Sequence, residues 1–272
     1  MIQINKTRLQ ITVLISFFWV VSCLQATTFH SILVGDSDDQ ELKKVVTKDL
    51  LHMQAHTQEI FNALQGVECF EQRVYKAEQV NPLLMQELAQ LTIERDDIVF
   101  FYFSGHGFNT KKHRQTLWPF LYFNHGDIGI DSLQIMEQLL FYRPRLLVFL
   151  VDCCNNLLKP RDFPNFLQRE AQVGDQVELE TSAFFNICHL FQNFEGVIMI
   201  SSASPGFYSE GTDKKGSCFT NCYLRFFKRF TSSSSPTSWQ EILAQVQRKL
   251  WKRQRPHYDL LITEIPSSQP TG

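Results

Sequence analysis

The chain carries almost no net charge. Lysine and arginine number 26 against 28 aspartates and glutamates, a formal balance of −2. It therefore has no positive field of the kind that gathers nucleic-acid phosphates, and no nucleic-acid partner is expected. Long hydrophobic runs are missing too. The N-terminal run, Ile11 to Val21, falls short of the roughly 20 residues that a spanning helix needs. No internal repeat is present. No metal motif is present either. Cys218 and Cys222 stand four apart without a matching histidine pair, and His52 and His56 stand four apart without the glutamate of a zinc-peptidase helix. No metal is expected. The seven cysteines lie at irregular spacing in 272 residues, which sets aside a small disulfide-stapled scaffold. Cys69, Cys188, Cys218 and Cys222 are expected as buried small apolar residues.

What is there begins with an address. Lys6 and Arg8 precede the short apolar run, the pattern of an export signal. Two processing sites compete. Leu24-Gln25-Ala26 suits a signal peptidase, whereas Val20-Val21-Ser22-Cys23 resembles a bacterial lipobox that would place a lipid on Cys23 and anchor the chain to a membrane without spanning it. The expectation is an exported protein that is periplasmic, membrane-anchored or secreted. Residues 1–26 are its signal, 27–230 one catalytic-sized domain, and 231–272 a linker, a C-terminal helix and a tail.

Downstream, apolar runs alternate with helical stripes. Strands are predicted over 29–34, 67–75, 98–103, 146–151 and 196–201. Helices fill most of the gaps, the first capped by Ser37 with Gln40 and running to about Leu64. A helix is also expected over 83–91, after Asn81-Pro82, and a last one over 239–251, capped by Ser238. Strands of continuous apolar character are covered on both faces. Alternating strands and helices imply an α/β fold with a mostly parallel central sheet between helical layers.

Two of these strands end in reactive residues. Asp97 to Phe103 breaks into Ser104-Gly105-His106-Gly107, and Arg145 to Val151 breaks into Asp152-Cys153-Cys154-Asn155-Asn156. Ligands of open α/β sheets bind beyond the carboxyl ends of strands. A thiol and an imidazole delivered there are the parts of a cysteine–histidine dyad. The glycines flanking His106 suit a loop whose N–H must reach a reacting carbonyl oxygen. Forty-eight positions separate His106 from Cys154, close to the spacing of about 50 found in caspases.

Phe-Ser-Gly-His-Gly at 103–107 and Leu-Val-Asp-Cys-Cys at 150–154 resemble the two signatures of the caspase-like cysteine peptidases, nearest the metacaspase and paracaspase branch. The resemblance extends from Phe29 to about Phe230. It implies a caspase-like three-layer sandwich, with His106 as general base and Cys154 as nucleophile. Cys153 takes the variable position, and the N–H groups of Gly107 and Cys154 form the oxyanion hole. It also implies that Asp152, with Asp49 and Glu210, lines a pocket for a basic side chain, so that cleavage follows Arg or Lys. Lys159, Arg161 and Arg169 then become candidate self-cleavage points in the long loop after Cys154. The substrate is a protein or peptide, and the chemistry requires no cofactor. Calcium dependence and oligomeric state stay open. The sequence departs from the family at Asn155-Asn156-Leu157, where a small turn such as His-Ser-Gly often follows the cysteine. The basic run Arg248 to Arg255 is read as a solvated helix end, and a catalytically silent scaffold of the same fold is the alternative reading.

Overall fold

Apolar side chains on consecutive positions can all be buried only if both sides of a strand are covered. The computed structural model of the chain, which describes residues 26–110, 116–123, 125, 128–157 and 182–265, covers them in that way. In chain order its elements are β1 (Thr27–Gly35), α1 (Lys43–Ala63), β2 (Val67–Lys76), α2 (Leu84–Leu88), β3 (Ile98–Ser104), β4 (His106–Phe108), β5 (Phe120–Phe123), β6 (Ile128–Asp131), α3 (Ser132–Leu140), β7 (Leu146–Asp152), α4 (Ser182–Gln192), β8 (Phe194–Ser201), β9 (Gly211–Thr212), β10 (Gly216–Ser217), α5 (Cys218–Thr231), α6 (Trp239–Leu250) and β11 (His257–Glu264).

The main sheet runs β11-β8-β7-β3-β1-β2. All neighbours are parallel except β11, which lies antiparallel on β8. The two-residue period of a strand sorts the core. Phe100, Tyr102, Leu146, Val148 and Leu150 face one way, against α1, α4, α5 and α6. Val99, Phe101, Phe103, Leu147, Phe149 and Val151 face the other way, against α2, α3 and the small antiparallel sheet β4-β5-β6. Each fully buried Phe or Leu contributes about 2 kcal/mol of transfer free energy, so β3 and β7 are the anchored centre of the sheet. The α/β sandwich read from the sequence is what forms.

Local differences have local causes. Ser37 does not cap the first helix; its hydroxyl accepts from Ala77 N at 3.1 Å. Asp39 makes the turn, its carboxylate accepting from Glu41 N and Leu42 N at 2.7 and 2.9 Å, and α1 starts at Lys43. The helix expected over 83–91 shortens to α2, because Ala89 to Leu91 leave it through single turns. The last helix has the expected cap, with Ser238 and Glu241 forming a reciprocal box. Beyond it, β11 was not anticipated. No strand is predicted after the last helix, yet this segment pairs with β8 along its whole length, from His257↔Ser201 to Glu264↔Phe194. α6 likewise packs Trp239, Ile242, Leu243 and Val246 into the core.

Among the described residues no helix is long and apolar enough to cross a membrane. The cysteines there are all free. Cys218 and Cys222 are buried and Cys188 half-buried, but Cys69 is exposed on β2, the edge of the sheet, contrary to expectation.

Candidate active site

β3 and β7 are adjacent and in register, with Ser104 opposite Asp152. Their carboxyl ends therefore deliver both motifs to one place. Strand parity then sorts β7's last residues. Asp152 continues the series 146, 148, 150 and turns toward α5. Cys153 continues the odd series and is buried in the opposite core at 1% exposure. Its N–H donates to Ser202 Oγ at 3.1 Å, and Ser202 Oγ in turn donates to Cys153 O at 3.1 Å. Cys154 is left half-buried on a cleft of about 500 Å³ that it shares with His106, Asp49, Asp152, Glu210 and Arg253. The choice of Cys154 over Cys153 as the cleft-facing thiol is thus a consequence of alternation.

The Cys154 sulfur lies 3.4 Å from Ser209 N and 3.8 Å from Ser209 O. Burial pushes its pKa up to about 12, the Ser209 N–H counteracts this, and the Asp152 carboxylate adds to the rise. The thiol is therefore neutral at physiological pH, so nucleophilic attack needs a base to take its proton. Its backbone N–H meets no acceptor among the described residues.

His106 is not in a free loop. It opens β4, paired opposite Tyr122 of β5, so a ladder positions it. Its Nε2 lies 3.2 Å from Asp39 Oδ2. The ring holds the Asp39 carboxyl down to about 2, with smaller contributions from the backbone N–H groups of Leu42 and Glu41. Gly107 is required by packing and not by an unusual φ. A Cβ there would run into Cys153 Sγ and Cys154 O. The absence of a side chain lets β4 lie against the Cys153-Cys154 turn.

The acids below the cleft are spent on internal bonds. Asp49, fully buried on α1, accepts from Ser104 Oγ at 3.0 Å and Ser217 N at 2.8 Å. Burial, with the nearby Asp152 charge, pushes its carboxyl well above the usual range. Gly216, at φ +83°, is the close approach that admits this carboxylate. Asp152 accepts from Ser209 Oγ (2.7 Å), Thr220 Oγ1 (2.7 Å), Thr220 N (3.2 Å) and Ser217 Oγ. Glu210 is on the rim, 3.6 Å from Arg253.

Two features went unseen in the sequence. The first is the role of Asn155. It is fully buried; its Nδ2 donates to Leu117 O (2.7 Å) and Ala203 O (3.1 Å), and its Oδ1 accepts from Asn109 (2.9 Å). Its backbone N–H donates to Phe207 O at 3.0 Å and its carbonyl accepts from Gly206 N at 2.8 Å. The turn that departs from the family pattern is therefore tightly braced. The second is Gln254, just after α6, in a run whose basic side chains are exposed as expected. Gln254 is fully buried and donates to Ser209 Oγ at 2.7 Å, Ser204 N donates to Gln254 O at 3.2 Å, and Arg255 stacks over Phe207 at 4.5 Å. It braces the loop that covers Cys154. No local pattern signals this, because the contact depends on β11 joining the sheet. Among the described residues no cluster could hold a metal ion. Lys159, Arg161, Arg169 and Cys23 lie outside the described residues.

The model of peptidase family C14, the caspase domain, matches residues 33–264. The chain belongs to the caspase-domain peptidase family. Membership assigns this caspase domain protease-type activity on a protein or peptide substrate, and the match takes in α6 and β11 as well as the two motifs. No curated protein matches the chain. Among solved structures, protein GSU0716 from Geobacter sulfurreducens is similar, with a TM-score of 0.53 at 14% identity over 86% of this chain and 92% of that one, a likeness of fold.

Proposed function

We propose that the protein is a cysteine endopeptidase in which His106 takes the proton of Cys154, and that it cleaves after Arg or Lys. The observation that carries this is the delivery of His106 and Cys154 by the ends of adjacent strands into one cleft, above the buried pair Asp49 and Asp152. In the first step His106 accepts the thiol proton and sulfur bonds to the scissile carbonyl carbon. The oxyanion so formed takes donors from the backbone N–H groups of Gly107 and Cys154. Collapse breaks the C–N bond, and the leaving amine takes the proton from His106. Water, deprotonated by His106, then hydrolyses the thioester, releasing the acid and restoring the thiol.

Basic selectivity follows from charge. Two carboxylates share one buried region, and a cationic side chain entering the cleft relieves their mutual repulsion. A neutral or acidic side chain does not. Lys159, Arg161 and Arg169 are then self-cleavage candidates, visible as cut products in the intact mass of the wild type and missing from the Cys154→Ala variant. Export, by signal cleavage after Ala26 or by lipidation of Cys23, is read from the mass of the mature N-terminus.

The deciding test is a panel of short reporter peptides with Arg, Lys, Asp or Leu before the cut. Wild type should cleave the Arg and Lys members and Cys154→Ala none. If the two proteins do not differ, the enzymatic reading fails. If Asp152→Ala keeps the Arg preference, the pocket argument fails. A second reading, a catalytically silent caspase-fold scaffold, is favoured by the Ser209 backbone lying against the Cys154 sulfur. The same panel separates the two.

A further inference from the structure

Among the contacts of the His106 ring is one with a carboxylate outside the two motifs, that of Asp39. Asp39 lies in the loop after β1, and β1 is the neighbour of β3, with Gly35 opposite Ser104. The topology therefore sets the loop after β1 beside the histidine motif. The two carboxylate oxygens of Asp39 have separate partners. Oδ1 accepts from Glu41 N and Leu42 N at 2.7 and 2.9 Å, and the backbone carbonyl of Asp39 accepts from Lys43 N at 2.8 Å, which seats the residue in the turn that leads into α1. Oδ2 lies 3.2 Å from His106 Nε2. The carboxylate is thus locked by the helix start, whose positive end also favours its charge, and it presents its second oxygen to the ring. The side chains involved are 18% and 11% exposed, so water competes little for the bond.

We propose that Asp39 is a positioning residue for the reaction, completing a Cys154–His106–Asp39 array. Its carboxylate keeps the histidine proton on Nε2, so that Nδ1 carries the lone pair that receives the thiol proton. It also stabilises the imidazolium formed when that proton arrives. It does not itself take up a proton. The proposal rests on the assignment of His106 as the base. It explains how a neutral, half-buried thiol can be used: the carboxylate on the far side of the ring holds the tautomer and orientation that receive the thiol proton.

The variants separate this role from helix capping. The side-chain oxygen of asparagine accepts the same turn hydrogen bonds as that of aspartate, so Asp39→Asn keeps the turn into α1 and removes only the charge. Asp38→Asn is the control for loop charge. Two readouts are needed. The first is kcat and KM on an Arg reporter from pH 5 to 9. The second is the rate at which iodoacetamide alkylates Cys154, located by mass spectrometry, which needs no turnover. The other ionisable groups facing the cleft are Asp49 from α1, Asp152 and Cys154 from the end of β7, Tyr208 and Glu210 before β9 and Arg253 after α6; all are unchanged in these variants.

For Asp39→Asn the expected result is a fall in kcat of about 10- to 100-fold with KM within about twofold. Alkylation at pH 7 should slow about tenfold. Above pH 4 thermal unfolding should drop by no more than the few degrees due to the lost charge, and Asp38→Asn should match wild type in every readout. Equal kcat and equal alkylation in wild type and Asp39→Asn overturn the proposal. So does a loss of kcat that merely follows loss of folded protein while the folded fraction alkylates normally. If no Arg or Lys reporter is cleaved but alkylation still depends on Asp39, the peptidase reading fails and the Asp39 role stands.

Discussion

The sheet carries a histidine–aspartate pair at each of its two ends. At the amino ends of the strands, His30 Nε2 lies 2.9 Å from Asp97 Oδ2, and both side chains are 4% exposed. At the carboxyl ends, His106 lies 3.2 Å from Asp39. The lower pair is the shorter and drier of the two, yet it is a staple. Asp97 also accepts from Thr28 N and Glu94 N at 2.7 and 2.8 Å, so it ties the start of β1 to the turn entering β3, and it lies outside the cleft of Cys154. The upper pair shares a cleft with a thiol. An imidazole beside a carboxylate is therefore not a site in itself. The strand ends make it one, because there the backbone leaves the sheet and the next side chains face open space.

The sharpest way to break this contrast is to remove the thiol. Cys154→Ala should abolish cleavage of Arg and Lys reporters, whereas Cys153→Ala should stay within about fivefold, since that sulfur points into the core; the two activities measured side by side decide it. If Cys153→Ala were the dead variant, strand parity would have been misread. Next in size, the two aspartates should fail differently. Asp39→Asn should lower kcat by about 10- to 100-fold with little change in unfolding temperature. Asp97→Asn should cost about 1–3 kcal/mol of stability, read by thermal unfolding, with the kcat of the folded fraction unchanged. Equal behaviour of the two variants would erase the distinction between staple and site.

Asp49 gives a smaller effect with two signs. Its carboxyl sits well above the usual range through burial and the Asp152 charge. The stability linked to it is therefore present at low pH and lost as pH rises toward the folded-state value. Asp49→Asn should unfold a few degrees higher than wild type at pH 8, with the gap closing at pH 4, while kcat/KM on Arg reporters falls about tenfold. A variant that gained no stability at pH 8 would remove the buried-charge account. Asp39 titrates the other way. Held at about 2 by His106, it supports the fold fully above pH about 4 and loses that support as pH falls toward 2. Scans of wild type against Asp39→Asn across that window should converge at the acid end. The smallest expected change is at the rim, where Arg253→Gln frees Glu210 and should lower KM for Arg reporters by about threefold.

Much of the fold was legible because burial on both faces leaves an unmistakable mark. Ile98 to Phe103 and Leu146 to Val151 could only be central strands, and reactive residues directly behind them could only lie at the sheet's carboxyl edge. β11 was illegible for the opposite reason. An edge strand is covered on one side only, so Leu260 and Ile262 alternate with polar and exposed residues, and the pairing with β8 is a long-range event. The bracing role of Gln254 was illegible as a consequence, because a residue behind an exposed helix end becomes part of a site only once the strand after it has docked.

The sequence by itself determined the sheet, its central strands, the histidine and cysteine motifs and the membership they carry, since each is written in a few consecutive residues. Tertiary structure alone decided what surrounds them. Asp39 reached His106 because β1 lies beside β3. Asn155 became a buried clamp because four segments meet at one turn. Asp49 became a strained carboxyl because α1 lays it against Asp152. Each of these depends on residues distant in the chain arriving at one point, and nothing local encodes that arrival.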